Sequence, residues 1–271
     1  MRLHRMRRLA TAGVGAIALA GASVLAAGGT ASAAAPGVPG TLPGTVSLTV
    51  LQPTPHEVIT GSLPIQVVAN GYLIDARYAG TPDSSVIGHY HEYLDGHLVD
   101  MTPYRDGNRD TMPMTGVTDG PHTLTLWPAN NDHSLAGTGV SIPFYYEGPY
   151  QPEPAGYTGT GAPGITITSP ADGSTVSGGY FTLTARVTNF VLCGDCFGKG
   201  DVAGEGHWHI FLDQASMADM LTMAGGSSQV VSLRGVTPGW HTFYAVLVGN
   251  DHMPIMPMTM ASVTLYVQSS S

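Results

Sequence analysis

The sequence predicts an all-β protein built as two tandem antiparallel β-sandwiches. Three observations predict it. Charged residues make up only 11% of the chain while Gly, Pro, Thr and Val abound, a composition of short strands and turns, not helices. Apolar residues alternate with period two, as in Phe181-Thr182-Leu183-Thr184-Ala185-Arg186-Val187, the pattern of strands packed on one face. And the chain repeats itself. Gly88-His89-Tyr90-His91 returns as Gly206-His207-Trp208-His209, Gly120-Pro121-His122-Thr123 as Gly239-Trp240-His241-Thr242, and Asn131-Asp132-His133 as Asn250-Asp251-His252.

In chain order, residues 1–33 read as a cleaved signal peptide. Four arginines precede an apolar run from Leu9 to Ala27, and Ala31-Ser32-Ala33 is a small-residue cleavage site. The mature protein is therefore expected to be secreted. No later stretch approaches the ~20 apolar residues of a membrane span. Residues 34–43 are a flexible lead-in and 44–147 the first domain. Residues 148–163 form a Pro/Gly-rich linker, and 164–271 the second domain. Strands are expected at 46–51, 65–68, 89–94, 122–127 and 142–146, and again at 165–168, 181–187, 207–212, 229–233, 241–248 and 262–267. Six or seven short strands in about 105 residues indicate a sandwich.

Charge narrows the partners. The chain has ten basic and nineteen acidic residues; cleavage removes four arginines and no acid, leaving six against nineteen, a net charge of −13. So acidic a surface repels nucleic acid and anionic lipid. A metal ion or an extracellular protein partner suits it better.

The segment Ile167-Thr168-Ser169-Pro170-Ala171-Asp172-Gly173-Ser174-Thr175-Val176 and the run Pro121-His122-Thr123-Leu124-Thr125-Leu126 resemble bacterial immunoglobulin-like domains. The Gly-His-x-His strand, the Gly-x-His-Thr motif and Asn250-Asp251-His252-Met253-Pro254 are similar to small exported His-rich domains with the pattern GHHH…LLID…GxHTL…NHxPH. The resemblance covers both copies and implies two immunoglobulin-like sandwiches. It implies no activity.

Period two sets His207 and His209 on one strand face and Trp208 and Ile210 on the other. Two imidazoles about 7 Å apart along a strand can chelate one ion. If the sandwich has immunoglobulin order, this strand lies antiparallel to the one ending before His252. His207, His209 and His252 then gather at one end, as do His89, His91 and His133. His241 starts the far end, 11 positions from His252 and up to ~35 Å away if extended. His122 and His241 are accordingly read as structural histidines, hydrogen-bonded to backbone.

Methionines accompany the histidines. Met101 aligns with Met220, and Met253 follows His252 in a Met-Pro-rich loop. Thioethers favour copper(I) and imidazole suits copper or zinc, so copper is expected first and zinc second. Met253 or Met220 would add a soft ligand in the second site, and Met101 in the first. Cys193 and Cys196, present in one copy only, are expected to form a disulfide in an exported protein, with thiolate ligation as the other reading.

Catalysis has less support than binding. No Ser or Cys nucleophile stands with His and a carboxylate in both copies. The superoxide dismutase pattern lacks its bridging histidine, and a cupredoxin would need a Cys ligand that the first copy does not have. The expected function is metal binding at a His-x-His plus loop-His site in each repeat. Two alternatives stay open: a non-metal adhesive or structural module, and a surface that responds to pH by charging its histidines.

Overall fold

Alternation in the sequence becomes pleated strands in two matching sets. A computed structural model describes residues 39–102 and 108–268; the expected signal peptide lies outside them. The first set is β1 (Ser47–Gln52), β2 (Val58–Ile59), β3 (Leu63–Asn70), β4 (Leu73–Ile74), β5 (Ile87–Leu94), β6 (His97–Asp100), β7 (Arg109–Met112), β8 (Gly120–Ala129) and β9 (Val140–Tyr146). The second is β10 (Gly164–Ser169), β11 (Thr175–Val176), β12 (Tyr180–Thr188), β13 (Val191–Leu192), β14 (Glu205–Leu212), β15 (Met220–Ala224), β16 (Ser228–Ser232), β17 (Gly239–Val248) and β18 (Met260–Val267).

Each set makes two sheets. β1-β3-β7 faces β2-β9-β8-β5-β4, with β6 on the free edge of β5. In the second set, β10-β12-β16 faces β11-β18-β17-β14-β13, with β15 on β14. The long strands pair antiparallel, while short β2 and β11 run parallel to the last strand of their set. This is the immunoglobulin-type sandwich. Even an irregularity recurs: the register of β1 on β3 shifts between Val50 and Gln52, and that of β10 on β12 between Ile167 and Ser169.

Cores form where the alternation points inward. Leu124 and Leu126 of β8 pack with Tyr90, Leu63 and Ile65 in the first sandwich; Phe243, Trp208, Ile210 and Leu183 do so in the second. Trp208 is fully buried, and its Nε1–H donates to the Gly226 carbonyl at 2.8 Å, so its one polar group is satisfied.

The sequence does not announce that β14 is buried on both faces along its whole length, and β5 nearly so. One face of each fills its own core and the other is covered by the opposite sandwich. Met101 of the first repeat clusters with Phe211, Met220, Met223 and Val246 of the second, flanked by Leu98, Phe197 and Tyr244. The segment expected as a separating linker lies against both repeats. Gly116 N–H donates to the Gln151 carbonyl at 2.7 Å, and Tyr157 N–H to the Gly204 carbonyl at 3.1 Å. No helix among the described residues is long and apolar enough to cross a membrane.

Candidate metal centres

Strand pairing decides which histidines meet. In the ladder of β5 on β8, His89 is opposite Ala129 and His91 opposite Trp127; in β14 on β17, His207 is opposite Val248 and His209 opposite Val246. The two histidines of each His-x-His thus stand beside the end of the strand that runs into the Asn-Asp-His or Asn-Asp-His-Met loop. There the backbone turns through a left-handed residue, His133 at φ +66° and His252 at φ +65°. Such a conformation costs a non-glycine residue about 1–2 kcal/mol, and the surrounding turn enforces it. His133 N–H donates to the Asn130 carbonyl at 3.0 Å and His252 N–H to that of Gly249 at 3.1 Å. Asn131 and Asn250 tie the same loops down through their side chains, to the Pro82 and Gly200 carbonyls.

The result is two triangles of nitrogen. Nε2 of His89 lies 3.2 Å from Nε2 of His91 and 3.1 Å from Nδ1 of His133, and the third side is 3.3 Å. In the second repeat the sides are 3.0 Å (His207 to His209), 3.0 Å (His207 to His252) and 3.3 Å (His209 to His252). Three donors on ~2.0 Å bonds to a tetrahedral ion stand about 3.3 Å apart. Hydrogen bonding alone does not account for such a triangle. Each imidazole aims one nitrogen at a common centre, and one proton there cannot satisfy three lone pairs. Either histidine set could hold a metal ion.

All six rings are buried, between 0% and 9% exposed. Burial therefore disfavours their charged form. It lowers His91 to about 3, and His133 and His252 to about 4. His89, His207 and His209 are held well below the ordinary imidazole range by burial and then by the neighbouring rings. At neutral pH all six are uncharged, the state a metal requires. A histidine switch working between pH 5 and 8 has no support from these groups.

The outer surroundings come from across the repeat boundary. Nε2–H of His133 donates to the Met220 carbonyl of the second sandwich at 2.7 Å, which leaves Nδ1 as the lone-pair donor. The Leu98–Val99 backbone of the first sandwich stands in the matching place beside His252, without hydrogen-bonding geometry. Glycine is needed at both crossings. A Cβ on Gly80 (φ +71°) would come 2.6 Å from the Met220 carbonyl oxygen, and one on Gly198 (φ +66°) 2.1 Å from that of Leu98.

The remaining sequence-predicted residues fall into different places. Met101 and Met220 are buried in the inter-sandwich cluster, whereas Met253 is 64% exposed. Cys193 and Cys196 are joined as a disulfide. His122 and His241 lie apart from the triads. Nε2–H of each donates to a backbone carbonyl at 2.8 Å, Thr118 and Thr237 respectively, and Nδ1 of each lies 2.7 Å from Asp95 or Asp213.

Sequence reasoning missed two neighbours. Phe197 packs on the second triad, its ring centroid 4.2 Å from that of His207, where the first repeat has Ala79. In the first sandwich, Glu92 points inward between Tyr90 and Leu94, where the second has Ile210. Burial, with Asp110 and Asp100 nearby, raises its carboxyl well above the usual range, and Asp100 is pushed up to about 7 for the same reasons. The signal was present: an acid at a core position of an alternating strand.

Fold and site define a pair of immunoglobulin-like sandwiches carrying a buried three-histidine set in each. No known protein-family profile matches the chain, and no curated protein is significantly similar to it. Solved structures that resemble it include three N-terminal domains of the outer capsid protein Hoc of bacteriophage RB49, 10% identical with a TM-score of 0.22 over 84% of this chain and 71% of that one. Others are the Bacteroides ovatus protein SGBP-B in complex with a mixed-linkage heptasaccharide (12%, TM-score 0.23, 82% and 48%) and the four N-terminal Ig domains of Dscam1 isoform 6.44 (10%, TM-score 0.22, 82% and 46%). The chain spans about half the length of the latter two.

Proposed function

We propose that this is an exported protein that binds copper, with zinc as the second choice, in two buried sites: His89, His91 and His133 in one, His207, His209 and His252 in the other. The observation that carries the reading is the convergence of six neutral imidazole nitrogens into two triangles with sides of 3.0–3.3 Å.

Electrostatics favours copper(I). The donor sets are uncharged, and among the described residues no carboxylate is grouped with either of them. The desolvation cost of an ion rises with the square of its charge, so a divalent ion meets about four times the penalty of a monovalent one in the same pocket. Zinc(II) would need a hydroxide or another anion in the open fourth position. An exported copper binder of this kind would sequester the ion or hand it on.

The test is metal analysis after equilibration with copper(I), copper(II) or zinc(II), for the signal-less protein and its His207→Ala/His209→Ala variant. About two equivalents are expected in the first and about one in the second. Equal content in both would remove the second site.

A further inference from the structure

Beyond His252 the second repeat continues as Met253-Pro254-Ile255-Met256-Pro257-Met258-Thr259-Met260. Methionine in a sandwich is ordinarily a gap-filler of the core. Met101, Met112, Met114, Met220 and Met223 behave so, each at most 5% exposed. The loop methionines do the opposite: Met253 is 64% exposed, Met256 83%, Met258 51% and Met260 41%. Packing therefore does not explain them, and four thioethers in eight residues at the surface forfeit burial that any core would reward.

The loop is nonetheless pinned. Pro254 bridges to Val248, Gly249 N–H donates to the Met253 carbonyl at 2.9 Å, and Leu247 N–H to that of Thr259 at 2.9 Å. Ile255 packs against the core. The side chains that remain outward are the four methionines and the two prolines between them. The corresponding loop of the first repeat, residues 134–139 (Ser-Leu-Ala-Gly-Thr-Gly), has no thioether and no Pro.

We propose that this loop is a surface acceptor for copper(I) that feeds the second triad, a reading that rests on copper occupying the buried histidines. Thioether sulfur is a neutral, soft donor that selects copper(I) over zinc and harder ions. The path is short in sequence. His252, the most exposed member of its triad at 9%, is bonded directly to Met253 at 64%. An ion held on the loop is thereby presented next to the triad histidine that directly precedes it in the chain, at a local concentration that free solution does not match.

Silver(I), a redox-inert stand-in for copper(I), tests the acceptor. Added to a His207→Ala/His209→Ala protein labelled at its methionine methyls, it is expected to shift the resonances of Met253, Met256 and Met258 and to leave that of buried Met112 in place. Absence of these shifts would overturn the acceptor without touching the buried sites. The relay is tested in the otherwise native chain with Met253, Met256, Met258 and Met260 all changed to Leu, exposed positions where the fold is indifferent. Transfer of copper(I) from a chelator to the second triad should slow at least about tenfold with the final occupancy of that triad unchanged, while zinc uptake keeps its rate. Unchanged copper(I) uptake would overturn the relay. Methyl shifts in a protein whose native triads take up no copper would overturn the relay and the buried-site reading together.

Discussion

The two triads are nearly superimposable in their nitrogens and unlike in everything around them. Both have sides of 3.0–3.3 Å, both use a left-handed loop histidine, and both are buried. Around the first lie Ala79, a cross-repeat hydrogen bond from His133, and in the same sandwich the buried acid Glu92 with Asp100 opposite it on the neighbouring strand. Around the second lie Phe197 against His207, a disulfide two residues before the start of that loop's close approach to Leu98, and a row of exposed methionines. The difference teaches that strand pairing and a turn suffice to bring three imidazole nitrogens together, whatever surrounds them.

The sharpest way to break this comparison is to remove one loop histidine at a time. His133→Ala and His252→Ala should each abolish tight binding at their own triad, weakening it at least about a thousandfold, and leave the other triad loaded. Isothermal titration of each variant checks this. If both variants lose both equivalents, the triads are not separate sites.

Acid provides the next largest effect. Each buried imidazole has a folded pKa below its unfolded value near 6.5, so the unfolded chain binds more protons. The histidine contribution is then full above pH 6.5 and is lost as pH drops toward about 4. Denaturant titrations of the metal-free protein between pH 7.5 and 4.5 should show this slope, and His207→Ala/His209→Ala should flatten it by removing two of the six groups. Glu92 and Asp100, whose carboxyls are raised by burial, oppose this slope in both chains, so an equal slope in native chain and variant would mean that these rings are not buried and neutral.

The smallest effect concerns Phe197. Phe197→Ala should weaken metal at the second triad by about tenfold, as loss of an outer neighbour typically does, and leave the first unchanged, where Ala79 already stands. Equal weakening at both sites would indicate damage to the interface instead.

How much of this was legible in the sequence depends on the reach of each signal. The long strands were readable because β8 and β17 alternate Leu124, Leu126 or Phe243, Ala245 inward against Thr123, Thr125 or Thr242, Tyr244. β6, β7 and β15 were not: they are four or five residues long, and Met220-Leu221-Thr222-Met223-Ala224 reads as a set of soft donors, not a strand. The gathering of His207 and His209 with His252 followed from period two and antiparallel neighbours. That their face would be sealed by the other repeat could not follow, since the sequence pattern of Phe211 or Tyr93 is the same for a surface strand and for one facing a second sheet.

Each repeat also supplies the wall that the other lacks: Gly80 against Met220, Gly198 against Leu98, Met101 among Phe211, Met220 and Met223. Reciprocal contact of this kind is the signature of a two-fold, self-complementary association. A lone repeat would leave its histidine face bare and would meet its need by pairing with a second copy of itself. Within one chain the two halves need not be identical, so a phenylalanine, a disulfide and a methionine loop stand on one side only, where a symmetric dimer would carry each twice.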